Sequence, residues 1–233
     1  MNKNTFFVTG TDTEVGKTLV TAALMSACSG EVLGIKPVAA GAGYETLEGE
    51  TVLQNDDAKT LLKYCRPPLK YNEVNPYCFK EAIAPHIAAK INNKLVTVST
   101  IVDHCRKISS ANRATIFIEG AGGWRVPLND NEYLSDLPKQ LNIPVILVVG
   151  LRLGCINHTL LTYEAIENDG LTLAGWVANC LSSNMDEENQ NIETLKEKLS
   201  SIAFLGKIPY LSNPTAEEAS SYLKPEKIIN SLE

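Results

Sequence analysis

The feature that most constrains the fold is a loop near the amino terminus, Gly10-Thr-Asp-Thr-Glu-Val-Gly-Lys-Thr18. An apolar run over Thr5–Thr9 precedes the loop, and a segment with helical character over Lys17–Cys28 follows it. Between a strand and a helix, such a loop turns tightly and aims backbone N–H groups and the helix amino terminus at an anion. The sequence therefore predicts a phosphate-binding loop, with Lys17 facing the phosphates and the Thr18 hydroxyl on Mg²⁺.

The loop departs from the common phosphate-binding pattern in its spacing. One extra residue stands between the first glycine and the Gly-Lys pair, within Thr11–Val15. A glycine-capped turn with an exposed lysine is the simpler alternative, but the flanking strand and helix favour a nucleotide. A hydride-transfer dinucleotide site is excluded because its glycine spacing is absent and Lys17-Thr18 would have no role.

The apolar pattern predicts a doubly wound α/β fold. Strands are predicted over Thr5–Thr9, Val32–Lys36, Thr115–Glu119, Pro144–Val149, Leu173–Asn179 and Phe204–Ile208. Helices are predicted over Lys17–Cys28, Val98–Ser109, Tyr133–Leu141, Asn157–Asn168, Met185–Ser200, Pro214–Tyr222 and Pro225–Leu232, and loops over Gly41–Asn55 and Arg66–Tyr77. Near-continuous apolar strands alternating with helices predict a mostly parallel sheet with helices on both faces, as in P-loop NTPases. The length favours one nucleotide-binding domain over residues 1–233.

Charge and cysteine usage narrow the class of partner. The 27 acidic residues outnumber the 21 basic ones, giving a net charge of -6, which disfavours a nucleic-acid surface and an anchor to anionic membrane. The amino terminus lacks the apolar core of a targeting segment, and Pro144–Leu151 is far too short to span a membrane. The 6 cysteines are scattered along the sequence without the spacing of metal ligands, which favours free thiols. We therefore expect a cytoplasmic protein without nucleic-acid or membrane partners.

Charged residues stand at the predicted carboxyl ends of strands, where sheets of this kind bind ligands. Lys36 ends the second strand and is either a surface lysine or a second positive charge over a transferring phosphoryl group. Glu119 ends the third strand and opens Glu-Gly-Ala-Gly-Gly-Trp, the usual place of a magnesium-binding carboxylate in this fold. Asp56 and Asp57 are predicted at the start of a helix, whose cap is Asn55 or Asp56. Capping is compatible with a metal role, in which the other carboxylate reaches Mg²⁺.

Two further strand ends carry candidate binding groups. Gly154 precedes a helix whose free N–H groups make an anion site. Cys155 is a weak candidate nucleophile there, because no base is paired with it, and His158 is as readily a core or capping residue. Asn179 ends the fifth strand, and its carboxamide can pair with the edge of an adenine.

In combination these blocks resemble the dethiobiotin synthetase family. The resemblance runs in order from Thr5 to Pro209 and rests on Gly10–Thr18, Lys36-Pro-Val38, Asn75-Pro-Tyr77, Glu119–Trp124, Pro144–Gly150, Leu153–His158 and Gly170–Asn179. It implies a Mg²⁺- and ATP-dependent ligase of biotin biosynthesis that closes the ureido ring of dethiobiotin from 7,8-diaminononanoate (diaminopelargonate) and CO₂. In that family one amine becomes a carbamate, which takes the ATP γ-phosphate as a mixed carbamic–phosphoric anhydride. The second amine closes the ring, and ADP and phosphate leave.

The resemblance also implies roles for individual residues. It places Mg²⁺ on Thr18, Asp57 and Glu119, and it places Thr11, Lys17 and Lys36 at the reacting carbamate. The implied nucleotide contacts are Thr13, Glu14, Val15, Gly16, Lys17, Thr18, Leu19, Asp57, Glu119, Gly120, Ala121, Gly122, Asn179, Cys180, Ile208, Pro209, Tyr210 and Leu211. The implied substrate contacts are Thr11, Lys36, Ala40, Gly154, Cys155 and Asn157. The family is a homodimer, with the substrate at the interface and its carboxylate on Gly154, Cys155 and Asn157 of the opposite subunit.

One position departs from the family, and two other classes share the fold. The family commonly has a hydroxyl residue after Lys-Pro-Val where this chain has Ala40. Partitioning and switch ATPases carry an extra lysine near the start of the loop, where this chain has Thr11 and Asp12. Amidation enzymes of the cobyrinic-acid type carry a glutaminase domain for which 233 residues leave no room.

Overall fold

Strands and helices alternate along the chain, and the computed structural model describes residues 4–47 and 49–229 of it. The strands are β1 (Thr5–Gly10), β2 (Val32–Ile35), β3 (Val38–Ala39), β4 (Gly43–Leu47), β5 (Glu50–Gln54), β6 (Tyr77–Cys78), β7 (Thr115–Glu119), β8 (Val145–Leu151), β9 (Leu173–Cys180) and β10 (Ala203–Ile208). The helices are α1 (Lys17–Ala27), α2 (Asp56–Tyr64), α3 (Tyr71–Val74), α4 (Pro85–Ile91), α5 (Val98–Ala111), α6 (Asp136–Leu141), α7 (Cys155–Asn168), α8 (Glu188–Lys198), α9 (Ala216–Ser220) and α10 (Glu226–Ile229).

A six-stranded parallel sheet in the order β10-β9-β8-β1-β7-β2 forms the centre of the molecule. Every residue of β1 and β8 is buried, as expected for strands covered on both faces. The rings of Phe6 and Phe117 stack 5.7 Å apart across the β1–β7 pair. The predicted parallel α/β sheet and its six strands are confirmed at closely similar bounds.

The sheet order brings three strand ends together. β7 lies between β1 and β2, so the carboxyl ends of these strands share one edge. The phosphate-binding loop leaves that edge from β1, Glu119 ends β7, and Lys36 follows β2.

The prediction of a loop over Gly41–Asn55 is wrong. β4 and β5 form an antiparallel hairpin there, with Tyr44 opposite Leu53 and Thr46 opposite Thr51. Much of the hairpin is exposed, so its sequence lacks the apolar alternation that marks a half-buried strand. The glycines that suggested a loop stand at the hairpin's start and turn, where Gly41 and Gly49 have positive φ.

Several helix bounds also differ from their predictions. α6 begins at Asp136 rather than Tyr133, because Tyr133 forms a β-bridge with Pro127. α8 begins at Glu188, after Glu187 adopts a left-handed backbone conformation.

Other differences lie in the connecting segments. The predicted loop over Arg66–Tyr77 contains α3. Helix α4 was not predicted; it starts at Pro85, and proline is suited to the first helical position. α7 starts two residues before the predicted Asn157, at Cys155, and α9 spans only Ala216–Ser220. α10 covers the start of the predicted last helix, whose positions 230–232 lie outside the described residues, as do residues 1–3. Across 4–47 and 49–229, no helix is long and apolar enough to cross a membrane.

Candidate active site

The phosphate-binding loop closes around Lys17 and Gly16. Gly16 has φ +84°, and a Cβ at this position would come within 2.1 Å of Asn179 Nδ2, so a side chain is excluded by both strain and space. The Lys17 ammonium is buried and donates a 2.9 Å hydrogen bond to the Asp12 carbonyl. Burial, together with the nearby charge of Lys36, lowers the pKa of Lys17 to about 8. Among residues 4–47 and 49–229, no carboxylate forms an ion pair with this lysine, so the loop holds a cation that can contact a phosphate.

The second cation, Lys36, is buried at the centre of an ion cluster. Its Nζ lies 2.6 Å from Glu119 Oε1 and 3.0 Å from Asp57 Oδ2, and it donates to the Gly120 carbonyl at 3.1 Å. The Thr18 hydroxyl donates to Glu119 Oε1 at 2.8 Å. Lys36 is only 4% exposed, so it is not a surface lysine.

The charges of this cluster stabilise one another. Burial by itself lowers the pKa of Lys36, but Glu119 and Asp57 outweigh burial and hold it above its ordinary value. Burial by itself raises the pKa of Asp57, but Lys36, Thr18 and Lys17 outweigh it and hold that pKa below its ordinary value. Lys36 is therefore a fixed positive charge near neutral pH.

The oxygen atoms around this cluster fit a magnesium ion. Glu119 Oε2 is buried and has no hydrogen-bond partner among the described residues, and Thr18 and Asp57 add a hydroxyl and a carboxylate. Mg²⁺ prefers such oxygen ligands, and it usually binds through one or two carboxylates with water and phosphate oxygens. Within 4–47 and 49–229, no three or more His, Cys, Asp or Glu side chains form a complete metal cage. The donor set therefore suits a metal that arrives with a nucleotide.

A cavity of about 890 Å³ opens above the loop and the ion cluster. The predicted residues that line it are Thr13, Glu14, Gly16, Lys17, Thr18, Lys36, Ala40, Asp57, Glu119, Ala121 and Gly122. Ala82, Ile83, Ala84 and Pro85, which lead into α4, also line it. Thr11, Val15, Leu19 and Gly120 lie outside this lining: Thr11 donates its N–H to the Val148 carbonyl, and Val15 is fully buried beneath the loop.

The predicted adenine-binding residues meet at the neighbouring strand ends. Asn179 of β9 pairs in register with Ile208 of β10, so Asn179, Cys180 and the Pro209–Leu211 segment lie side by side. The Asn179 carboxamide reaches the loop and donates to the Val15 carbonyl at 3.0 Å. Tyr210 is 49% exposed, and burial raises the pKa of the Cys180 thiol to about 12. These residues do not line the cavity but flank the loop on its other side.

The predicted carboxylate-binding helix end, α7, also lies apart from the cavity. Gly154 has φ +91° and Asn157 is exposed, whereas the Cys155 side chain is buried. Leu153, at the tip of this turn, is 99% exposed. An ion pair between Arg152 and Asp12 ties the turn to the phosphate-binding loop.

Sequence reasoning missed two parts of the site. The Ala82–Pro85 wall belongs to a short helix start without a chemical motif. A hydrogen-bonded network of Asn55, Tyr71 and Asn75 lies behind the ion cluster. Asn75-Pro-Tyr77 stands out in the sequence, but no side-chain chemistry pointed to a role for it. The helix cap of α2 is Asn55, as one of the two alternatives held, and Asp56 is instead exposed beside Lys59.

The fold and the site define a class. A family model described as "AAA domain" matches residues 4–218. The MinD cell division protein of Aquifex aeolicus aligns over 98% of this chain and 95% of its own, with a TM-score of 0.55 at 13% identity. A ParA family ATPase from Chlorobium tepidum TLS aligns over 98% and 93%, with a TM-score of 0.53 at 13% identity. This likeness concerns the fold alone, and the chain is a P-loop α/β protein of the NTPase type.

Close relatives identify the family within that class. The ATP-dependent dethiobiotin synthetase of Cellvibrio japonicus (strain Ueda107) is 47% identical over 227 residues, which cover 96% of this chain and 96% of that protein. The one from Aeromonas salmonicida (strain A449) is 46% identical over 212 residues, 90% of this chain and 92% of that protein. This chain belongs to the ATP-dependent dethiobiotin synthetase family.

Proposed function

We propose that this chain closes the ureido ring of dethiobiotin from 7,8-diaminononanoate and CO₂ in an ATP- and Mg²⁺-dependent ligase reaction of biotin biosynthesis. Membership of the family supports the reaction. The observation that carries the mechanism is the ion cluster in which the buried Lys36 contacts both Glu119 and Asp57 beside the phosphate-binding loop. Together with Lys17 and a Mg²⁺ ion that its carboxylates would bind, this cluster can hold two anions, a carbamate and a triphosphate, close to each other.

The reaction proceeds in three steps whose atoms balance. One substrate amine attacks CO₂ and loses a proton, giving a carbamate. A carbamate oxygen attacks the γ-phosphorus, the bond to the bridging oxygen of ADP breaks, and a carbamic–phosphoric anhydride forms. The second amine attacks the anhydride carbonyl, the carbon–oxygen bond breaks, and phosphate leaves with that oxygen. The second amine loses its proton as the ring closes.

The chain's own residues position and neutralise these groups. The N–H groups of the loop and the amino terminus of α1 face the phosphates, and the Lys17 ammonium leaves the Asp12 carbonyl for a phosphate oxygen. Lys36 stays protonated and stabilises negative charge on the carbamate and the transferring phosphoryl group. Thr18, Asp57 and Glu119 would hold Mg²⁺, which when bound neutralises charge on the β- and γ-phosphates. Thr11 and Ala40 complete the substrate side.

The nucleotide base occupies the other side of the loop. Asn179 presents its carboxamide to the adenine edge, and Cys180 with Ile208–Leu211 frames the ring. The side-by-side ends of β9 and β10 support this role, as does the contact of Asn179 with the loop. The remaining nucleotide contacts that we propose are Thr13, Glu14, Val15, Gly16, Leu19, Gly120, Ala121 and Gly122.

The assembly is a homodimer with each substrate site completed by its twin. The substrate carboxylate lies on Gly154, Cys155 and Asn157 at the start of α7 in the partner. The separation of this helix end from the cavity of its own chain supports a contribution in trans, because it does not line that cavity. A cytoplasmic location belongs to the same proposal, and the free state of the cysteines supports it.

Isotope transfer tests whether an oxygen of the carbamate is phosphorylated and leaves with the phosphate. We expect oxygen-18 supplied as bicarbonate, in a reaction short enough to limit exchange with water, to appear in the released phosphate. The same reaction with carbon-13 bicarbonate places the label in the dethiobiotin carbonyl. Dethiobiotin that carries carbon-13, together with phosphate that carries no oxygen-18, would contradict carbamate phosphorylation. The absence of dethiobiotin would contradict the proposed function.

A further inference from the structure

We propose that Tyr71 and Asn75 are positioning residues that fix Asp57 relative to Lys36 and so set the geometry in which the site receives its metal–nucleotide complex. The effect that we expect on catalysis rests on the proposed function. The inference starts from a chain of buried and partly buried hydrogen bonds that runs from the backbone of Lys36 to the backbone of Asp57. Neither Tyr71 nor Asn75 lines the cavity.

The first half of the chain holds the backbone of Lys36. Both N–H groups of the Asn75 carboxamide are used, one on the Lys36 carbonyl at 2.7 Å and one on the Tyr77 carbonyl at 3.1 Å. The Lys36 N–H donates to the Val74 carbonyl at 2.8 Å. Lys36 follows the last residue of β2 and precedes Pro37, so the sheet ladder does not fix its position alone. Segment 74–75 therefore clamps the lysine backbone on both sides.

The second half of the chain holds the start of α2. The Tyr71 hydroxyl donates to Asn75 Oδ1 at 2.9 Å and accepts the Asn55 N–H at 2.8 Å. Asn55 Oδ1 in turn accepts the N–H groups of Asp57 at 3.0 Å and Ala58 at 3.3 Å as the cap of the helix. One phenol hydroxyl thus joins the residue that holds Lys36 to the residue that caps the helix of Asp57.

The surroundings favour this single arrangement. Asn75 is 3% exposed and Asn55 is 7% exposed, so water reaches them poorly. Loss of one of their hydrogen-bond partners would therefore leave an unsatisfied polar group, which costs free energy. Burial is the main cause that raises the pKa of the Tyr71 hydroxyl, which stays a hydrogen-bond donor. Cys78 Sγ lies 3.4 Å from the same hydroxyl, as a weaker partner.

Positioning matters here because the two partners come from different elements. Lys36 follows a strand of the sheet and Asp57 begins a helix, yet their charged atoms must stay 3.0 Å apart. Residues that orient metal-binding or phosphate-binding groups through one intermediate typically change affinity or activity about 10- to 100-fold when removed.

The chain offers a matched pair of variants to test the proposal. Tyr71→Phe removes the hydroxyl that joins the two halves. Tyr77→Phe removes a hydroxyl from the same segment whose hydrogen bond goes to Thr100 Oγ1 instead. We expect Tyr71→Phe to lower kcat about tenfold and to raise the half-saturating Mg²⁺ concentration by a similar factor, with KM for the diamine changed less than about twofold. Tyr77→Phe should leave all three values near those of the unaltered chain.

A double-variant comparison separates positioning from loss of stability. If Tyr71 acts through Asp57, Tyr71→Phe should cause no further loss of Mg²⁺-dependent binding of a non-hydrolysable ATP analogue when Asp57→Asn is already present. A penalty of equal size in both backgrounds would overturn the proposal, and so would identical Mg²⁺ dependence for Tyr71→Phe and Tyr77→Phe. Because analogue binding needs no turnover, it decides the proposal even when ring closure is absent, an outcome that would count against the proposed function alone.

Discussion

At the scale of single residues, the two site lysines differ in their affinity for a proton. Burial lowers the pKa of Lys17 to about 8, whereas the carboxylates around Lys36 hold its pKa above the ordinary value. Their positions, Lys17 at the end of the loop after β1 and Lys36 directly after β2, were readable from the sequence, because ligands bind at the carboxyl edge of a parallel sheet. Their partners were not, because the pairing of Lys36 with Glu119 and Asp57 depends on which strands are neighbours and on where α2 packs.

The low pKa of Lys17 predicts pH-dependent nucleotide binding. The ligand-free ammonium, which faces Lys36, Glu119, Asp57 and Asp12, loses its proton as the pH rises through about 8, and phosphate binding favours the charged form. Affinity for ADP should therefore fall between about pH 7 and about pH 9.5, with proton uptake on binding that is largest above pH 8. Calorimetry in buffers of different ionisation enthalpy measures this uptake.

A permanently charged side chain is the control for this effect. Lys17→Arg keeps its charge throughout the range and should bind without the uptake. Equal proton uptake in the two proteins would show that another group titrates.

The missing hydroxyl at Ala40 predicts a gain of function. Ala40 lines the cavity, and its carbonyl already accepts a hydrogen bond from Asn55 Nδ2 at 3.2 Å. Ala40→Ser adds a donor toward the proposed carbamate, so turnover should rise or the KM of the diamine should fall by up to about tenfold, the equivalent of one hydrogen bond. Ala82→Ser adds the same hydroxyl at another position of the cavity lining and serves as a control. Unchanged kinetics for Ala40→Ser would mean that the hydroxyl has no part in this chain.

At the scale of elements, burial decided what the sequence could predict. The six sheet strands are apolar along their length and were predictable from that pattern, as β8 illustrates with all of its residues buried. The β4–β5 hairpin was not, because its residues face solvent and carry glycines at the bends. Short elements such as α3 and β6 are stabilised by tertiary contacts, including the hydrogen bonds of Asn75, which a local pattern does not reveal.

The phosphate-binding loop gives a prediction at this scale. Gly16→Ala strains a positive φ and also drives a Cβ into Asn179, which links the loop to the proposed adenine side. Gly30→Ala is a matched control, because Gly30 has nearly the same φ of +85° with open space around its Cβ position. Both variants should lose about 1 kcal/mol or more of stability from backbone strain.

Only the Gly16 variant should lose nucleotide binding, measured by titration with a fluorescent ATP analogue. Retained binding in a folded Gly16→Ala protein would contradict the role assigned to the loop.

At the scale of the whole molecule, the sheet order explains how distant parts of the chain form one site. Residues that follow β1 and β2 and residues of β7 and α2 converge, because β7 lies between β1 and β2. The start of α7 and the ends of β9 and β10 lie on the far side of the loop, outside the cavity. The single domain over residues 1–233 stays a prediction, and so does the dimer.

Complementation between two inactive variants tests the proposed dimer. Lys17→Ala disables the nucleotide half of a site, and Asn157→Asp places a repelling carboxylate at the start of α7. If that helix end serves the partner's site, mixed dimers contain one intact site, and about a quarter of the activity should return after random exchange of subunits in a symmetric dimer. Each variant alone should stay inactive. A mixture as inactive as its components would place the α7 contribution within a single chain or remove it altogether.

Coupling of ATP hydrolysis to the two other substrates tests the central claim most directly. ADP release should require both 7,8-diaminononanoate and bicarbonate and should match dethiobiotin formation. Lys36→Ala should lower ring closure by at least about 100-fold while leaving ATP binding largely intact, because Lys36 stabilises charge that develops during transfer. Hydrolysis that proceeds without the diamine, or that depends on DNA or lipid instead, would contradict the account.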